Sequence, residues 1–210
     1  MADGLHVQYG AGLCGPAAWL NFDASPMLLL QRTPLLNLLP LARRGARYPR
    51  TIRFGNVVRG LPVRSGSATL VYCSHTLEHL SLGDCRTALR ETWRMLRPGG
   101  TFRGVLPDLR HLCTEYLRQA PGDPAAAVNF IRATHMGLAE TPRGLAWWRQ
   151  FFSRDAHLWM WDYPALEVEL RAAGFQSVRP ARYHDSAHPA FREVEEAHRW
   201  EDALGFEALK

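Results

Sequence analysis

Residues 68–106 constrain the fold more than any other part of the chain. Ala68 to Cys73 is an apolar, β-branched run of strand length, which reads as a strand buried on both faces. Leu82, Cys85, Leu89, Trp93 and Leu96 then recur every three or four residues, the spacing of a single helix face. Pro98-Gly99-Gly100 is expected to end that helix sharply. Thr101 to Leu106 forms the next strand, stopped by Pro107-Asp108. Strand, amphipathic helix and strand in this order make a parallel pair with a crossover helix.

The same alternation runs through most of the chain. Leu5 to Tyr9 reads as a strand leading into Gly10-Ala11-Gly12-Leu13-Cys14-Gly15, and Trp19 to Phe22 as a second strand ending at Asp23. Pro26 opens a leucine-rich helix that breaks near Pro34, and Thr51 to Phe54 is a third strand stopped by Gly55-Asn56. After Asp108 come helical stretches around Leu109–Arg118 and Pro124–Met136, an aromatic-rich loop from Trp147 to Trp161, and a helix from Pro164 to Ala173 capped by Gly174. Ser177 to Tyr183 and Leu204 to Leu209 supply the last strands. The expectation is one α/β domain over 1–210: a Rossmann-like, seven-stranded, mostly parallel sheet with helices on both faces and a shortened first helix. Residues 109–162 form a helical and aromatic cap after the fifth strand. Ligands in such sheets bind beyond the carboxyl ends of the strands. That rule gathers Gly10–Gly12, Asp23, Asn56, Ser74–His75 and Asp108 into one cleft.

Composition narrows the class. Hydrophobic residues make up 47% of the chain, enough for a sizeable core and too many for disorder. The net charge is +5 and the only lysine is Lys210, a weak pointer to an anionic partner. Cys14, Cys73, Cys85 and Cys113 form no Cys-x-x-Cys pair and are expected to stay reduced, as in a cytoplasmic protein. Met1 to Gly4 lacks a signal-peptide layout, and the apolar stretch from Pro26 to Ala42 is broken by Gln31, Arg32, Pro34 and Pro40, too early to span a membrane. Arg43, Arg44, Arg47, Arg50 and Arg53 carry no reading helix or RNA-binding motif. They read as an exposed link, not a nucleic-acid contact.

Gly10, Gly12 and Gly15 fit Gly-x-Gly-x-x-Gly, which lets backbone turn tightly and approach a ligand. The pattern is shared with dinucleotide-binding enzymes. Those need a full helix after the glycines to meet a pyrophosphate, with an acid about 20 residues on. Here Pro16 follows at once and the second strand begins at Trp19, so the first helix is short or absent and a nicotinamide cofactor is disfavoured. Asp23, at the second strand's end, can accept both hydroxyls of a ribose. It also suits a helix cap or turn before Ala24-Ser25-Pro26.

Val71-Tyr72-Cys73-Ser74-His75-Thr76-Leu77-Glu78-His79-Leu80, followed by Ala88-Leu89-Arg90-Glu91-Thr92-Trp93-Arg94-Met95-Leu96-Arg97-Pro98-Gly99-Gly100, closely resembles the class I S-adenosylmethionine (SAM)-dependent methyltransferases. It is most similar to the subgroup related to ubiquinone and menaquinone biosynthesis. Tyr9-Gly10-Ala11-Gly12 and Asn21-Phe22-Asp23 extend the resemblance to the amino end, and His157–Asp162 and Leu170–Phe175 extend it more loosely. The resemblance implies SAM as cofactor. Gly10, Ala11 and Gly12 would lie along its methionine and ribose, Asp23 at the ribose hydroxyls, Asn56 near the adenine, and Ser74 and His75 at the methionine end. The family often has aspartate where Asn56 stands.

Methyl transfer from a sulfonium is an in-line displacement in which the enzyme mainly aligns the acceptor. A base is needed only where the acceptor must lose a proton. Histidine suits that task, with His75 the first candidate and His157 the second; either can instead serve only to position. His75-x-x-Glu78-His79 also spells a metalloprotease motif, and Glu78-His79 matches part of a divalent-metal pattern in some relatives. The preferred reading is that Glu78 and His79 orient the turn through hydrogen bonds, so no metal is assigned. Trp147, Trp148, Phe151, Phe152, Trp159 and Trp161 suit either a planar or sugar acceptor or a plain hydrophobic cap or homodimer contact. Arg143, Arg149 and Arg154 could receive an acidic acceptor or simply face solvent. The expected activity is methylation of a small molecule or glycan. The alternative is a SAM-fold protein that binds without catalysis.

Overall fold

A computed structural model describes residues 4–38, 46–137 and 156–210. Seven strands form one sheet: β1 (Leu5–Tyr9), β2 (Leu20–Asp23), β3 (Ile52–Phe54), β4 (Ala68–Ser74), β5 (Leu96–Pro107), β6 (Ser177–Ala181) and β7 (Ala203–Leu209). Their order is β3-β2-β1-β4-β5-β7-β6. The first five pair in parallel, and β7 runs antiparallel to both β5 and β6. Among the described residues five α-helices accompany them: α1 (Pro26–Arg32), α2 (Leu82–Met95), α3 (Leu109–Gln119), α4 (Ala126–Ala133) and α5 (Tyr163–Ala172).

Alternation along the strands gives the sheet two different faces. Val7, Tyr9, Phe22, Val71, Cys73, Phe102 and Phe206 point to one side. There Cys85, Ala88 and Leu89 of α2 and Leu166 and Leu170 of α5 close over them in the main core. Ser81 caps α2 by accepting from the Asp84 N–H, and Asp162 caps α5 by accepting from Ala165. The opposite side carries Gln8, Asn21, Leu70, Tyr72, Thr101 and Arg103, all buried. At the β3 edge, α1 covers this side, packing Leu28 on Ala11 and Ile52.

The crossover from β1 to β2 contains no helix, as the early Pro16 implies. Asn21 holds that loop, its Nδ2 donating to the carbonyls of Pro16 and Trp19 at 2.9 Å each. The place of the missing helix is filled from the far end of the chain. Residues 182–202, between β6 and β7, cross this face in two short 3-10 turns, Pro189–Glu193 and Ala197–Arg199. Phe191 and Val194 pack on Trp19, Leu70 and Tyr72. Arg103, fully buried in β5, pins the excursion. Its guanidinium pairs with Glu195, Asp185 and Glu207, donates to the Arg182 carbonyl, and stacks over Trp200 at 4.7 Å.

One boundary differs from the sequence reading. The Pro98-Gly99-Gly100 turn lies inside β5 and does not itself end α2, which stops at Met95 with Leu96 already extended. Pro98 disfavours a helical Arg97. Gly99, at φ +73°, donates its N–H to the Lys210 carbonyl, which draws the turn onto the end of β7. Among the described residues no helix is long and apolar enough to cross a membrane. All four cysteines are free, and Arg47, Arg50 and Arg53 are exposed.

Candidate functional site

A cavity of about 300 Å³ opens where β1, β2, β3 and β4 end. Tyr9, Asp23 and Ser74 are the last residues of β1, β2 and β4, and Gly55-Asn56 follows β3. The parallel strands therefore deliver these groups to one side of the sheet, and all of them line the cavity.

The glycine turn forms its floor. Gly10 and Gly12 have φ of +64° and +56°, in the left-handed region. A side chain at Gly10 would also strike Thr76 Oγ1, only 1.9 Å from the position of a Cβ. Ala11 differs from its neighbours: it is buried against Leu28 and Ile52, and its N–H is used by the Phe22 carbonyl. It turns into the core and does not line the cavity.

Asp23 both shapes and faces the site. Its Oδ2 accepts from the Gly12 N–H at 2.8 Å and its Oδ1 from the Ser25 N–H at 2.7 Å. Each oxygen keeps a further lone pair toward the cavity. The helix cap is Ser25, whose hydroxyl accepts from Met27. Asn56 accepts from the Val58 N–H through Oδ1, so its amide NH2 is the group left to meet a ligand. Ser74 Oγ is buried at the rim without a well-formed hydrogen bond inside the protein.

His75 sits at φ +46°, a conformation that costs a non-glycine residue about 1–3 kcal/mol. Three contacts hold it there. Its N–H donates to Val105 O at 2.8 Å, its Nε2 donates to Arg199 O at 2.9 Å, and its Nδ1 lies 3.3 Å from Glu78 Oε1. Burial alone would lower its pKa. The Glu78 carboxylate and the Arg199 carbonyl outweigh burial and raise it above the usual histidine value. With Nε2 bonded to the Arg199 carbonyl and Nδ1 facing Glu78, the ring is held in place at the rim.

His79 also lines the cavity. His157 does not: it stands behind His79, ring centroids 5.0 Å apart, with its pKa lowered by burial. Glu78 holds the turn with its side chain only through the contact to His75 Nδ1. Its backbone carbonyl ties the turn further, accepting from the N–H groups of Leu158 and Trp159. Asp108 lies outside the cleft, because its carboxylate caps α3 by accepting from Arg110. Trp161 is a core residue and Trp159 is partly exposed beside it. Trp147, Trp148, Phe151, Phe152, Arg143, Arg149 and Arg154 lie outside the described residues, as do Arg43 and Arg44.

Residues 9–103 match the family model described as a methyltransferase domain. That stretch, rather less than half of the chain, resembles a methyltransferase domain. No curated protein matches it by sequence. Among solved structures, this chain is similar to a SAM-dependent methyltransferase from Archaeoglobus fulgidus, with 12% identity over 100% of this chain and 87% of that one, TM-score 0.51. It is similar also to the YcgJ protein of Bacillus subtilis, with 14% identity over 100% and 92% of the two chains, TM-score 0.50. A third similar structure is PigF with S-adenosylhomocysteine (SAH), 15% identical over 98% of this chain at a TM-score of 0.50. The chain spans 50% of the PigF chain. At these identities the likeness concerns the fold.

Sequence reasoning missed Arg199. It lines the cavity, ties its carbonyl to His75, and has Nη2 3.8 Å from the Cβ position of Gly12. Nothing local marks it, since it reaches the site only because residues 182–202 replace the absent first helix.

Proposed function

We propose that this methyltransferase transfers the methyl group of SAM to a small-molecule or glycan acceptor by in-line displacement. The observation that carries the assignment of residues is the convergence of Gly10, Gly12, Asp23, Asn56, Ser74 and His75 on one cavity. Asp23 binds the ribose hydroxyls with its remaining lone pairs, while its bonds to Gly12 and Ser25 fix its angle. Asn56 meets the adenine with its amide NH2, and Gly10 and Gly12 allow the methionine chain to lie against bare backbone. Ser74 and the Arg199 guanidinium receive the amino and carboxylate groups of the methionine end, where a charged partner is worth most. Ala11 acts as the spacer between the two glycines.

The leaving group is already activated, so alignment is the main demand on the protein. His75, held between Glu78 and the Arg199 carbonyl, positions the rim of the site. His157 reaches the acceptor only through His79. Residues 156–162 edge the acceptor side, a reading supported by Leu158 and Trp159 bonding to Glu78 next to His79.

Thermal unfolding with SAH tests this reading. Ligand at 100 times its dissociation constant should stabilise the fold by roughly 2.7 kcal/mol, a shift of roughly 5–10 °C at this chain length. NAD should give none, and Asp23→Ala should lose the SAH shift while remaining folded. A folded wild type that ignores SAH would overturn the assignment and favour a silent scaffold.

A further inference from the structure

Glu78, His79 and His157 bring three ligand atoms within 4.8 Å of one another. Glu78 is 1% exposed, yet neither carboxylate oxygen makes a formed hydrogen bond. Oε1 has only offset contacts, to His75 Nδ1 at 3.3 Å and His79 Nε2 at 4.0 Å. A carboxylate taken from water this completely needs a positive partner or a full set of donors. His157 Nδ1 is likewise buried without a hydrogen bond.

The two imidazoles are oriented for ligation. His79 Nδ1 donates to the Ala156 carbonyl at 3.1 Å, which fixes the tautomer and leaves the Nε2 lone pair facing Glu78. That is the outer support metal-binding histidines usually have. The backbone of 157–159 is clamped to the same turn: His157 N–H donates to His135 O, and Leu158 and Trp159 donate to Glu78 O.

We propose that Glu78, His79 and His157 form a binding site for a divalent first-row transition metal at the acceptor edge of the cavity. Two imidazole nitrogens and one carboxylate suit zinc, cobalt, iron or manganese. Magnesium and calcium prefer oxygen alone. Bond lengths near 2.0–2.2 Å set ligand atoms about 3.3 Å apart in a tetrahedral site, so side-chain rotations of about 1–1.5 Å complete the set. Three protein ligands leave at least one position open. His79 belongs to both the triad and the cavity wall, so that position faces the acceptor side, where an acceptor oxygen can bind and ionise more readily.

The test is a titration of the full chain, stripped with a chelator and free of SAM, with cobalt(II). Visible absorption and calorimetry follow binding. One cobalt per chain is expected, with affinity at least about tenfold weaker in His157→Ala and in Glu78→Gln, since even an outer partner's loss costs that much. Asp23→Ala should bind cobalt as the wild type does while failing to bind SAH, which separates this site from the cofactor assignment. If Glu78→Gln fails to fold, the half-buried His157→Ala decides. No cobalt binding, or equal binding by wild type and His157→Ala, would overturn the proposal.

Discussion

On one face of the sheet, Val7, Tyr9, Val71 and Phe102 are buried by the apolar sides of α2 and α5. On the other, Gln8, Asn21, Thr101 and Arg103 are equally buried, but beneath turns and a set of ion pairs. The first face is sealed by the hydrophobic effect, which is non-directional and tolerates repacking. The second depends on matched charges whose partners come from residues 182–202, so it fixes one register for that segment. Groups that line the cavity come from both constructions. The strand ends supply Gly10, Asp23 and Ser74, and the ion-paired excursion supplies Arg199 and the carbonyl that holds His75.

The largest expected effect breaks the polar face. Arg103→Met strands Glu195, whose side chain is fully buried, and should destabilise the fold by about 3–5 kcal/mol. Chemical denaturation measures this, and a second change, Glu195→Met, should recover part of the loss. Leu89→Ala in α2 should cost a comparable or smaller amount, about 2–5 kcal/mol. The two variants differ in their ligand response. Arg103→Met should weaken SAH binding by calorimetry, and Leu89→Ala, while folded, should leave it unchanged.

Acid should find the same asymmetry. Burial would raise the Asp185 pKa, but Arg179, the Arg182 backbone and Arg103 together hold it at about 2, below the usual 3.8. A depressed carboxylate stabilises the fold above its unfolded pKa and loses that contribution as pH falls through the folded value. Wild type should therefore lose stability between about pH 4 and pH 2, and Asp185→Asn should be flatter over that window in acid titrations of unfolding free energy. The smallest effect lies on the helical side. Glu167 pairs with Arg171 on α5, where both side chains are substantially solvated. Glu167→Gln should change stability by about 0.5 kcal/mol or less, and less still in high salt. Loss of a similar magnitude from Glu167→Gln and Arg103→Met would erase the distinction between the faces.

Much of the helical face was legible in the sequence. Ala68–Cys73, the Leu82–Leu96 repeat and Thr101–Leu106 carry strong periodicity; the first two became elements within a residue or two, while the third starts five residues early, at Leu96. The strand-end residues Asp23, Asn56, Ser74 and His75 were legible too, because a parallel sheet brings consecutive strand ends together wherever the intervening loops go. The excursion was not. Residues 182–202 are rich in His, Asp, Glu and Arg without any period, and such a run reads as solvated loop. One signal was present. Thr101 and Arg103 alternate with Phe102 in a central strand, and a polar residue facing inward there requires a polar cover. Ala11 and Asp108 were misplaced for a related reason: a motif position says which loop a residue occupies, not which way its side chain turns.

Hydrogen exchange with and without SAH tests most directly whether the excursion completes the cofactor site. The account predicts slowed exchange in two separate stretches, residues 10–25 and residues 189–200, because Arg199 and the His75 contact would close on the bound ligand. Slowing in residues 10–25 alone, with 189–200 unchanged at saturating SAH, would contradict it and leave the excursion as a cover for the sheet.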